Sequence, residues 1–423
     1  MPQWLDLEIH KIYQLKHRGV DKRYMKKQIL IAYNYMMIGG STTSLLSLLN
    51  EIDYNKYDVD LICLDDKGAL YDMIPKMVSN LYVALDTGKN ARIKKMFNPR
   101  TVFFAIYSRV VAKILSYKYS YAGVKAQIMN RETARISKRL DKHYDIAIAF
   151  IETWATQYVA KYVKAEKKYA WYHLDYAGSK FFPYLDRHTY DNFDGIALVS
   201  QKCKSNFDRI FPQYSSKTVY IENILTDKYI HARAAQFEQE DIKKEPGVLQ
   251  LVTTCRIDFA HKGLDRAVRM LAKAIRSTNP TAFKVKWHIF GDGADLQELR
   301  RIIIDNNLLD VVILYGAKNN PLPWVAAADI FVLPSRYEGK PMAVTEAQML
   351  GVPPLVTNYA SASEQIENGV DGIIVENSED GLFDGFVQVL QGKINVKDLQ
   401  NNVRKRNYSN LKELRKVYEF IDE

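Results

Sequence analysis

Residues 330–357 read IFVLPSRYEGKPMAVTEAQMLGVPPLVT, and this stretch holds the clearest structural pattern in the chain. Its two apolar runs, 330–333 and 354–357, have the length and composition of buried β-strands. Between them, Pro341 suits the first turn of a helix. A strand, a helix and a second strand in this order predict two parallel strands joined by a helical connection.

The same alternation extends outward over most of the chain. In the first half we predict strands at 28–33, 58–64, 145–150, 169–172, 196–199 and 219–221. In the second half we predict strands at 249–254, 285–290, 311–314, 330–333, 354–357 and 373–375. Helical patterns lie between most of them, so the sequence predicts an α/β protein whose parallel sheets are covered by helices on both faces.

Composition changes along the chain predict the domain boundaries. A segment rich in Glu, Gln and Lys at 231–247 interrupts the alternation and is typical of a linker. We therefore predict the following segments: a basic leader at 1–27, a first α/β domain at 28–230, the linker at 231–247, a second α/β domain at 248–396 and a charged helical segment at 397–423.

The overall composition limits the class of protein. Hydrophobic residues make up 47% and charged residues 26% of the 423 residues, which is typical of a folded globular chain. The three cysteines, Cys63, Cys203 and Cys255, are far apart and lack the spacing of a zinc site or a disulfide framework. No apolar run reaches the ~18 residues that span a bilayer, and the first residues do not resemble a signal peptide. These features predict a cytoplasmic protein.

The net charge of +10 predicts an anionic partner. Between Lys89 and Arg131 there are ten Lys or Arg and no acidic residue, interleaved with aromatic side chains such as Phe103, Tyr107 and Tyr117. One interpretation is a protein that lies on an anionic membrane surface, and the other is a solvated helix pair with its aromatics in the core. Nucleic-acid binding rests on charge alone, because no recognisable module is present.

Candidate site residues follow the strands of the second half, where parallel sheets bind ligands. Arg256 and Lys262 in CRIDFAHKG (255–263) can converge on a diphosphate, although a pair of surface cations has the same appearance. Gly291 and Gly293 in GDG allow a close backbone approach to a phosphate or base, but a GxG alone is weak evidence. The stretch YGAKNNP (315–321) can frame a nucleobase or form a plain turn.

Glu338 and Glu346 complete the set, and their surroundings carry a family resemblance. The segment SRYEGKPMAVTEAQMLGVPPLVT, followed by Glu364 and by NGVDGIIV (368–375), resembles the EX7E region of retaining GT-B glycosyltransferases of family 4. RIDFAHKG (256–263) and IFGDG (289–293) are similar to that family's phosphate-binding loops. In the first half, GGSTTS (39–44) resembles its glycine-rich loop, and WYHLDY (171–176) its histidine-bearing loop. Lys340 and Pro341 depart from the family, where many members carry Phe and Gly, and this leaves the donor sugar open.

The resemblance implies two facing Rossmann-like domains with a cleft between them, and a retaining sugar transfer. Arg256 and Lys262 would hold the donor diphosphate in place of a metal, with no cofactor and a UDP- or GDP-sugar as donor. Glu346 would bind the ribose and Glu338 the transferred sugar. His173 would lie near the reacting carbon with Asp175 close by, although a buried core histidine is the plainer interpretation. The remaining donor contacts implied are Gly39, Gly40, Gly291, Gly293, Gly339, Lys340, Pro341 and Met342.

Other functions remain open at this point. A sugar-nucleotide epimerase or a phosphorylase-like enzyme shares the fold, and a non-catalytic partner subunit of a glycosyltransferase is a third possibility. The basic aromatic stretch favours a lipid-linked saccharide of a cell-envelope or capsule pathway as the acceptor, with the protein peripheral on the inner face of the plasma membrane.

Overall fold

The structure, a computed structural model, describes residues 26–37, 39–66, 68–85, 98–236, 246–278, 284–338, 340–359 and 361–422. The chain divides into two compact units. The first unit holds the chain up to Met36, residues Glu51–Ile221 and the C-terminal residues from Val417. The second unit holds Met37–Asn50 and Glu222–Lys416.

The first unit is built on a seven-stranded parallel sheet with the strand order β3-β2-β1-β4-β5-β6-β7. Its strands are β1 (Lys27–Tyr33), β2 (Tyr57–Cys63), β3 (Asn80–Val83), β4 (His143–Ala149), β5 (Lys164–Tyr172), β6 (Gly195–Leu198) and β7 (Thr218–Tyr220). Its helices are α2 (Pro99–Leu115), α3 (Tyr121–Ile136), α4 (Trp154–Tyr162), α5 (Pro183–Asp186) and α6 (Gln201–Ile210).

Strand β3 is the one strand of this sheet that the sequence pattern missed. Its residues NLYV are half-exposed or exposed, because the strand lies at the sheet edge beside β2. An edge strand does not need the apolar run that marks a central strand such as β1, where residues 29–33 are all buried.

The second unit is built on a six-stranded parallel sheet with the order β10-β9-β8-β11-β12-β13. Its strands are β8 (Val248–Thr254), β9 (Lys284–Phe290), β10 (Val312–Gly316), β11 (Ile330–Leu333), β12 (Pro354–Thr357) and β13 (Ile373–Val375). Its helices are α7 (Asp227–Ala234), α8 (Phe259–Lys262), α9 (Leu264–Thr278), α10 (Leu296–Asp305), α11 (Leu322–Ala327), α12 (Met342–Met349), α13 (Ala362–Gln365), α14 (Glu379–Leu390) and α15 (Val396–Lys405). Helices α1 (Gly40–Glu51) and α16 (Lys412–Asp422) each contain a boundary between the units.

Two buried layers flank the second sheet. Helix α9 places Leu264, Ala267, Val268 and Leu271 on one face at three- and four-residue spacing, and these residues pack in the same apolar cluster as Trp287 of β9. A second cluster on helices α11 and α12 covers the other side. The prediction of parallel sheets covered on both faces is confirmed.

The boundary between the units differs from the predicted linker at 231–247. The second unit begins at Glu222, and His231 to Ala234 form the end of helix α7. The reason is a set of hydrogen bonds within the second unit: the Ile224 N–H donates to Ser44 Oγ (3.0 Å), and Asn320 Nδ2 donates to the Arg233 carbonyl (2.7 Å). Residues 237–245 of the predicted linker and 1–25 of the predicted leader lie outside the described residues.

The C-terminal segment predicted as helical from residue 397 contains helices α15 and α16. Within the described ranges, no helix is both long enough and apolar enough to cross a bilayer.

Candidate active site

The carboxyl ends of the strands in the second sheet bring several predicted site residues to one edge. Strand β8 pairs with β9 on one side and with β11 on the other, all in parallel. The loop after β8, residues 255–263, is called the cationic loop below, and the loop after β11, residues 334–341, is called the glutamate loop. Because neighbouring parallel strands end at the same edge, these two loops lie side by side.

Lys262 and Glu338 form the central contact of this edge. Lys262 Nζ lies 2.5 Å from Glu338 Oε1, and Ser335 Oγ donates a hydrogen bond of 2.6 Å to the same oxygen. The Lys262 side chain is 20% exposed and that of Glu338 is 12% exposed, so the pair is shielded from most of the solvent. The sequence predicted both residues, and the structure brings them into direct contact.

Arg256 lies in the same cationic loop but reaches into solvent. Its side chain is 68% exposed, and Nη2 lies 3.3 Å from Asp258 Oδ2. Asp258 is shared, because His261 Nδ1 also lies 2.9 Å from that oxygen. An exposed ion pair of this kind holds a guanidinium weakly, so Arg256 is available to an incoming anion.

The pKa of the Cys255 thiol is shifted by the charges of the two loops. Burial raises the pKa of Cys255 to about 12, the charges of Lys262 and Arg256 lower it, and the charge of Glu338 raises it. All three charged side chains therefore lie near enough to this thiol, at the end of β8, to shift its pKa. A thiol with this pKa stays protonated at neutral pH, so Cys255 is not a candidate nucleophile.

Gly291 and Gly293 bring the loop after β9 against the cationic loop. A Cβ at Gly291 would lie 1.8 Å from the Cys255 carbonyl oxygen, and one at Gly293 would lie 2.1 Å from that of Ile257. The Gly291 N–H donates to the Gly316 carbonyl (2.8 Å), and the Gly293 N–H donates to its neighbour Asp292 Oδ1 (2.7 Å). In this structure the two glycines thus permit backbone packing that supports the cationic loop, and their amides bond within the protein.

The glutamate loop is anchored by two arginines that the sequence reasoning did not single out. Arg336 makes a two-pronged contact with Asp265 at the start of α9, with nitrogen–oxygen distances of 2.7 and 2.9 Å. Arg266 is buried and donates to the Pro334 carbonyl (3.0 Å) and to Asn377 Oδ1 (2.5 Å). In sequence, Arg266 looks like any arginine of an amphipathic helix, so no signal could have identified it.

Glu346 lies in helix α12 beside Arg233 of helix α7. The carboxyl is desolvated, which raises the pKa of Glu346 to about 7, and the charge of Arg233 opposes part of this effect. Among the described residues, none donates a hydrogen bond to this carboxylate. Arg233 is buried and donates to the Asn319 carbonyl at 2.6 Å, so it ties the loop after β10 to the surroundings of Glu346. Arg233 was missed because it falls in the predicted linker.

The start of helix α12 carries the other donor residues predicted in this region. Lys340 Nζ pairs with Glu222 Oε2 at 2.9 Å. Pro341 precedes the helix, which begins at Met342, and a Cβ on Gly40 would lie 2.8 Å from Met342 Sδ. Gly40 begins helix α1, and no heavy atom lies within 4 Å of a Cβ built on Gly39. Gly339 lies outside the described residues.

His173 belongs to the first unit and lies directly after strand β5. Its Nε2 is 3.0 Å from the Phe150 carbonyl, so Nε2 carries the proton and donates this bond. Its backbone N–H donates to Glu152 Oε2 (3.0 Å), and burial raises the pKa of the Glu152 carboxyl. Asp175 accepts hydrogen bonds from Asn206 Nδ2 at 3.0 and 3.1 Å, which ties the loop to helix α6. Glu152 was not predicted from the sequence.

The structure therefore gathers Arg256, Lys262 and Glu338 around the end of β8, and places Glu346 on helix α12 of the same unit. Within the described part of the chain there is no cluster of three or more His, Cys, Asp or Glu side chains arranged to hold a metal ion.

Several curated proteins are similar to this chain. It is 35% identical over 108 residues to the UDP-Gal:alpha-D-GlcNAc-diphosphoundecaprenol alpha-1,3-galactosyltransferase of Escherichia coli, a match covering 25% of this chain and 28% of that protein. It is 29% identical over 108 residues to the Vi polysaccharide biosynthesis protein VipC/TviE of Salmonella typhi, covering 26% of this chain and 19% of that protein. The chain thus matches less than a third of the length of these two relatives.

Solved structures match over nearly the whole chain. Anabaena Alr3699/HepE in complex with UDP-glucose superposes with a TM-score of 0.64 at 15% identity, covering 94% of this chain and 99% of that one. S. aureus TarM superposes with a TM-score of 0.62 at 14% identity, covering 95% and 100%. At these identities the likeness establishes the GT-B fold alone. The family profile described as glycosyl transferases group 1 matches residues 233–406, which span most of the second unit and both of its loops, so this part of the chain belongs to the glycosyl transferases group 1 family.

Proposed function

We propose that this protein is a retaining, metal-independent glycosyltransferase that moves a sugar from a nucleoside-diphosphate donor to a lipid-linked saccharide of a cell-envelope or capsule pathway. The observation that carries the proposal is the Lys262–Glu338 contact beside Arg256 at the carboxyl edge of the second sheet. Two cations and a carboxylate in this place suit a ligand that has a diphosphate next to a sugar.

Each residue has a role that matches its chemistry. Lys262 and Arg256 bind the diphosphate and stabilise the negative charge that develops on it as the glycosidic bond breaks. Once its lysine turns to the diphosphate, Glu338 accepts hydrogen bonds from hydroxyls of the transferred sugar, and Glu346 accepts them from the ribose. The amide groups at the starts of helices α1 and α12, near Gly40 and Met342, suit donor oxygens.

The transfer follows a front-face course in this proposal. The leaving phosphate takes the proton of the acceptor hydroxyl while the new bond forms on the face from which the nucleotide departs. The protein then contributes orientation and charge stabilisation rather than a nucleophile. His173, whose Nε2 donates to the Phe150 carbonyl within the first unit, is the residue that the family resemblance assigns to the reacting carbon.

The acceptor class rests on the relatives and on charge. The Escherichia coli relative is named for a diphosphoundecaprenol-linked substrate and the Salmonella typhi relative for polysaccharide biosynthesis. The net charge of +10 favours approach to an anionic surface. We therefore place the protein in the cytoplasm, peripheral on the inner face of the plasma membrane.

A thermal-shift panel of UDP- and GDP-sugars, with and without EDTA, tests the donor site. One nucleotide sugar is expected to raise the melting temperature, because a ligand that binds only the folded state stabilises it, and EDTA is expected to leave the shift unchanged. That donor is then incubated with a lipid-linked saccharide, and the anomeric configuration of the product is read by NMR. An inverted linkage would contradict the retaining course, and a shift that needs a divalent metal would contradict metal independence.

The same donor separates the rival functions. An epimerase converts the sugar when no acceptor is present, whereas a transferase gives at most slow hydrolysis. A non-catalytic partner subunit binds the donor but transfers the sugar to no acceptor. Sugar transfer is then seen only when the second, catalytic chain is added.

Donor affinity is expected to depend on pH through Glu346. The pKa of about 7 means that the carboxyl gains its charge as the pH rises through 7. The ionised form is the better acceptor for ribose hydroxyls, so the dissociation constant of the donor should fall by roughly ten-fold between pH 6 and 8 and then level off. Glu346→Gln should remove this dependence, and Arg233→Met should move its midpoint to higher pH. Calorimetric titration across the range measures it, and a flat profile in the unmodified protein would refute the role.

Glu346 should also make the stability of the protein without donor depend on pH, but here a rise in pH is unfavourable. The unfolded carboxyl loses its proton near pH 4.5, whereas the folded one keeps it up to about pH 7. The folded state therefore binds more protons in this window, and the free energy of unfolding should fall as the pH rises from 4.5 to 7. Glu346→Gln should flatten that part of the curve.

A further inference from the structure

Helix α2 of the first unit exposes a continuous apolar stripe. Its members are Phe103, Ile106, Tyr107, Val110 and Ile114 of the helix together with Tyr117 just beyond it, and they are called the ridge below. Eight of the eighteen exposed large apolar side chains among the described residues lie between 102 and 121. The exposed apolar surface is therefore concentrated here, which is the pattern of an interaction surface rather than of scattered single residues.

The ridge is not the side by which helix α2 joins its own unit. That side carries Ser108 and Ala112, both fully buried, and Ala112 packs against Val124 and Ile128 of helix α3. The ridge residues repeat at intervals of three and four positions and so form one helical face. Exposure reaches 60% at Phe103 and 67% at Ile114, so both faces of the helix are apolar but only one has a partner among the described residues.

The charges around the ridge identify the chemistry of what it can bind. Arg109, Lys113 and Lys118 are exposed, and no described carboxylate pairs with any of the three. Arg109 and Lys113 also line, with Val110 and Ile114, an open groove of about 680 Å³ beside the helix. No acidic residue occurs from Lys89 to Arg131. A surface that is apolar at its crest and basic at its flanks complements an anionic bilayer, which offers acyl chains and negative headgroups together.

We propose that the ridge inserts into the headgroup and acyl boundary of an anionic bilayer, with helix α2 lying in the plane of the membrane and Arg109, Lys113 and Lys118 at the level of the phosphates. The inference rests on the membrane location in the proposed function and names the surface that makes the contact, but vesicle binding needs neither donor nor transfer. Its failure is therefore distinguishable from a failure of the donor site.

Vesicle flotation of the full chain tests the proposal. The protein is expected to float with vesicles of phosphatidylcholine and phosphatidylglycerol and to stay at the bottom with phosphatidylcholine alone. The partition coefficient of the double variant Phe103→Ser/Ile114→Ser onto these vesicles should be lower by roughly ten-fold or more, because two exposed apolar side chains no longer enter the membrane. The double variant Arg109→Gln/Lys113→Gln should bind anionic vesicles more weakly by a similar factor. Added salt should likewise weaken vesicle binding by the unmodified protein.

A matched control is available on the second unit. Ile304 and Leu309 are also exposed apolar residues, at 48% and 63%, and the double change Ile304→Ser/Leu309→Ser should leave flotation unchanged. The melting temperature and its shift by the nucleotide sugar should be the same in all variants, which separates membrane binding from folding and from donor binding.

Either of two kinds of result would overturn the inference, one from vesicle flotation and one from sedimentation. One is an unmodified protein that does not float with anionic vesicles, or a ridge variant that floats as well as the unmodified protein. The other is a dimer in sedimentation that the ridge variant converts to a monomer with no lipid binding in either state, because the ridge is then an interface between two copies of this chain.

Discussion

Lys262→Met is expected to lower kcat by roughly 10²–10³-fold at saturating donor, which is the usual cost of losing one group that stabilises the developing charge. The ammonium of Lys262 lies 2.5 Å from Glu338 Oε1, and its charge acts on Cys255 at the end of β8 together with that of Arg256. The initial rate of sugar transfer, measured with the donor identified by thermal shift, gives the loss.

A matched control distinguishes the position of the lysine from its charge. Lys284 is an exposed lysine at the amino end of strand β9, the opposite end from the loops of the candidate site. Lys284→Met removes the same charge and should leave kcat within about two-fold, since surface substitutions away from special features have small effects. Equal losses in the two variants would refute the role given to Lys262.

Gly291→Ala is expected to lower the free energy of unfolding by roughly 3 kcal/mol or more and to abolish donor binding. A Cβ at this position would lie 1.8 Å from the Cys255 carbonyl oxygen, and the φ of +152° is one that L side chains rarely adopt. Relief requires the cationic loop to move away, and Arg256 moves with it.

Gly369→Ala serves as the comparison for the glycine. Gly369 also has a positive φ, +78°, but its Cβ would meet nothing within 4 Å. Only the strain of an L residue at positive φ applies there, and it should lower the free energy of unfolding by about 1–2 kcal/mol. Thermal denaturation of both variants, with and without donor, measures the difference. Similar melting temperatures for the two variants would mean that the Cys255 carbonyl does not exclude a side chain at position 291.

The fold was largely accessible from the sequence because buried parallel strands leave short apolar runs. Strands β11, β12 and β13 match the predicted 330–333, 354–357 and 373–375 residue for residue. Strand β3 was missed because its exposed position at the sheet edge leaves no such run. The position of the unit boundary was not accessible, because it depends on hydrogen bonds such as that from Ile224 to Ser44, between residues 180 positions apart.

The candidate site was accessible only in part, and for a similar reason. The contact of Lys262 with Glu338 joins residues 76 positions apart, and its prediction depended on a family resemblance rather than on residue spacing. Arg266 and Arg233 support the site through contacts across 68 and 86 positions, to Pro334 and Asn319, and nothing in their local sequence marks them. The glycines of GDG were predicted to approach a ligand, whereas the structure uses them to bring two backbone segments together.

The pairing of Lys262 with Glu338 means that the lysine already has a counter-ion within the protein. An anion that takes the lysine must first displace this carboxylate, and the displaced group then needs a new hydrogen-bond donor. Sulfate and chloride have no hydrogen to donate, whereas a nucleotide sugar presents hydroxyl groups next to its diphosphate. The arrangement discriminates against simple anions, which are abundant in cells, and in favour of a ligand that satisfies both members of the pair at once.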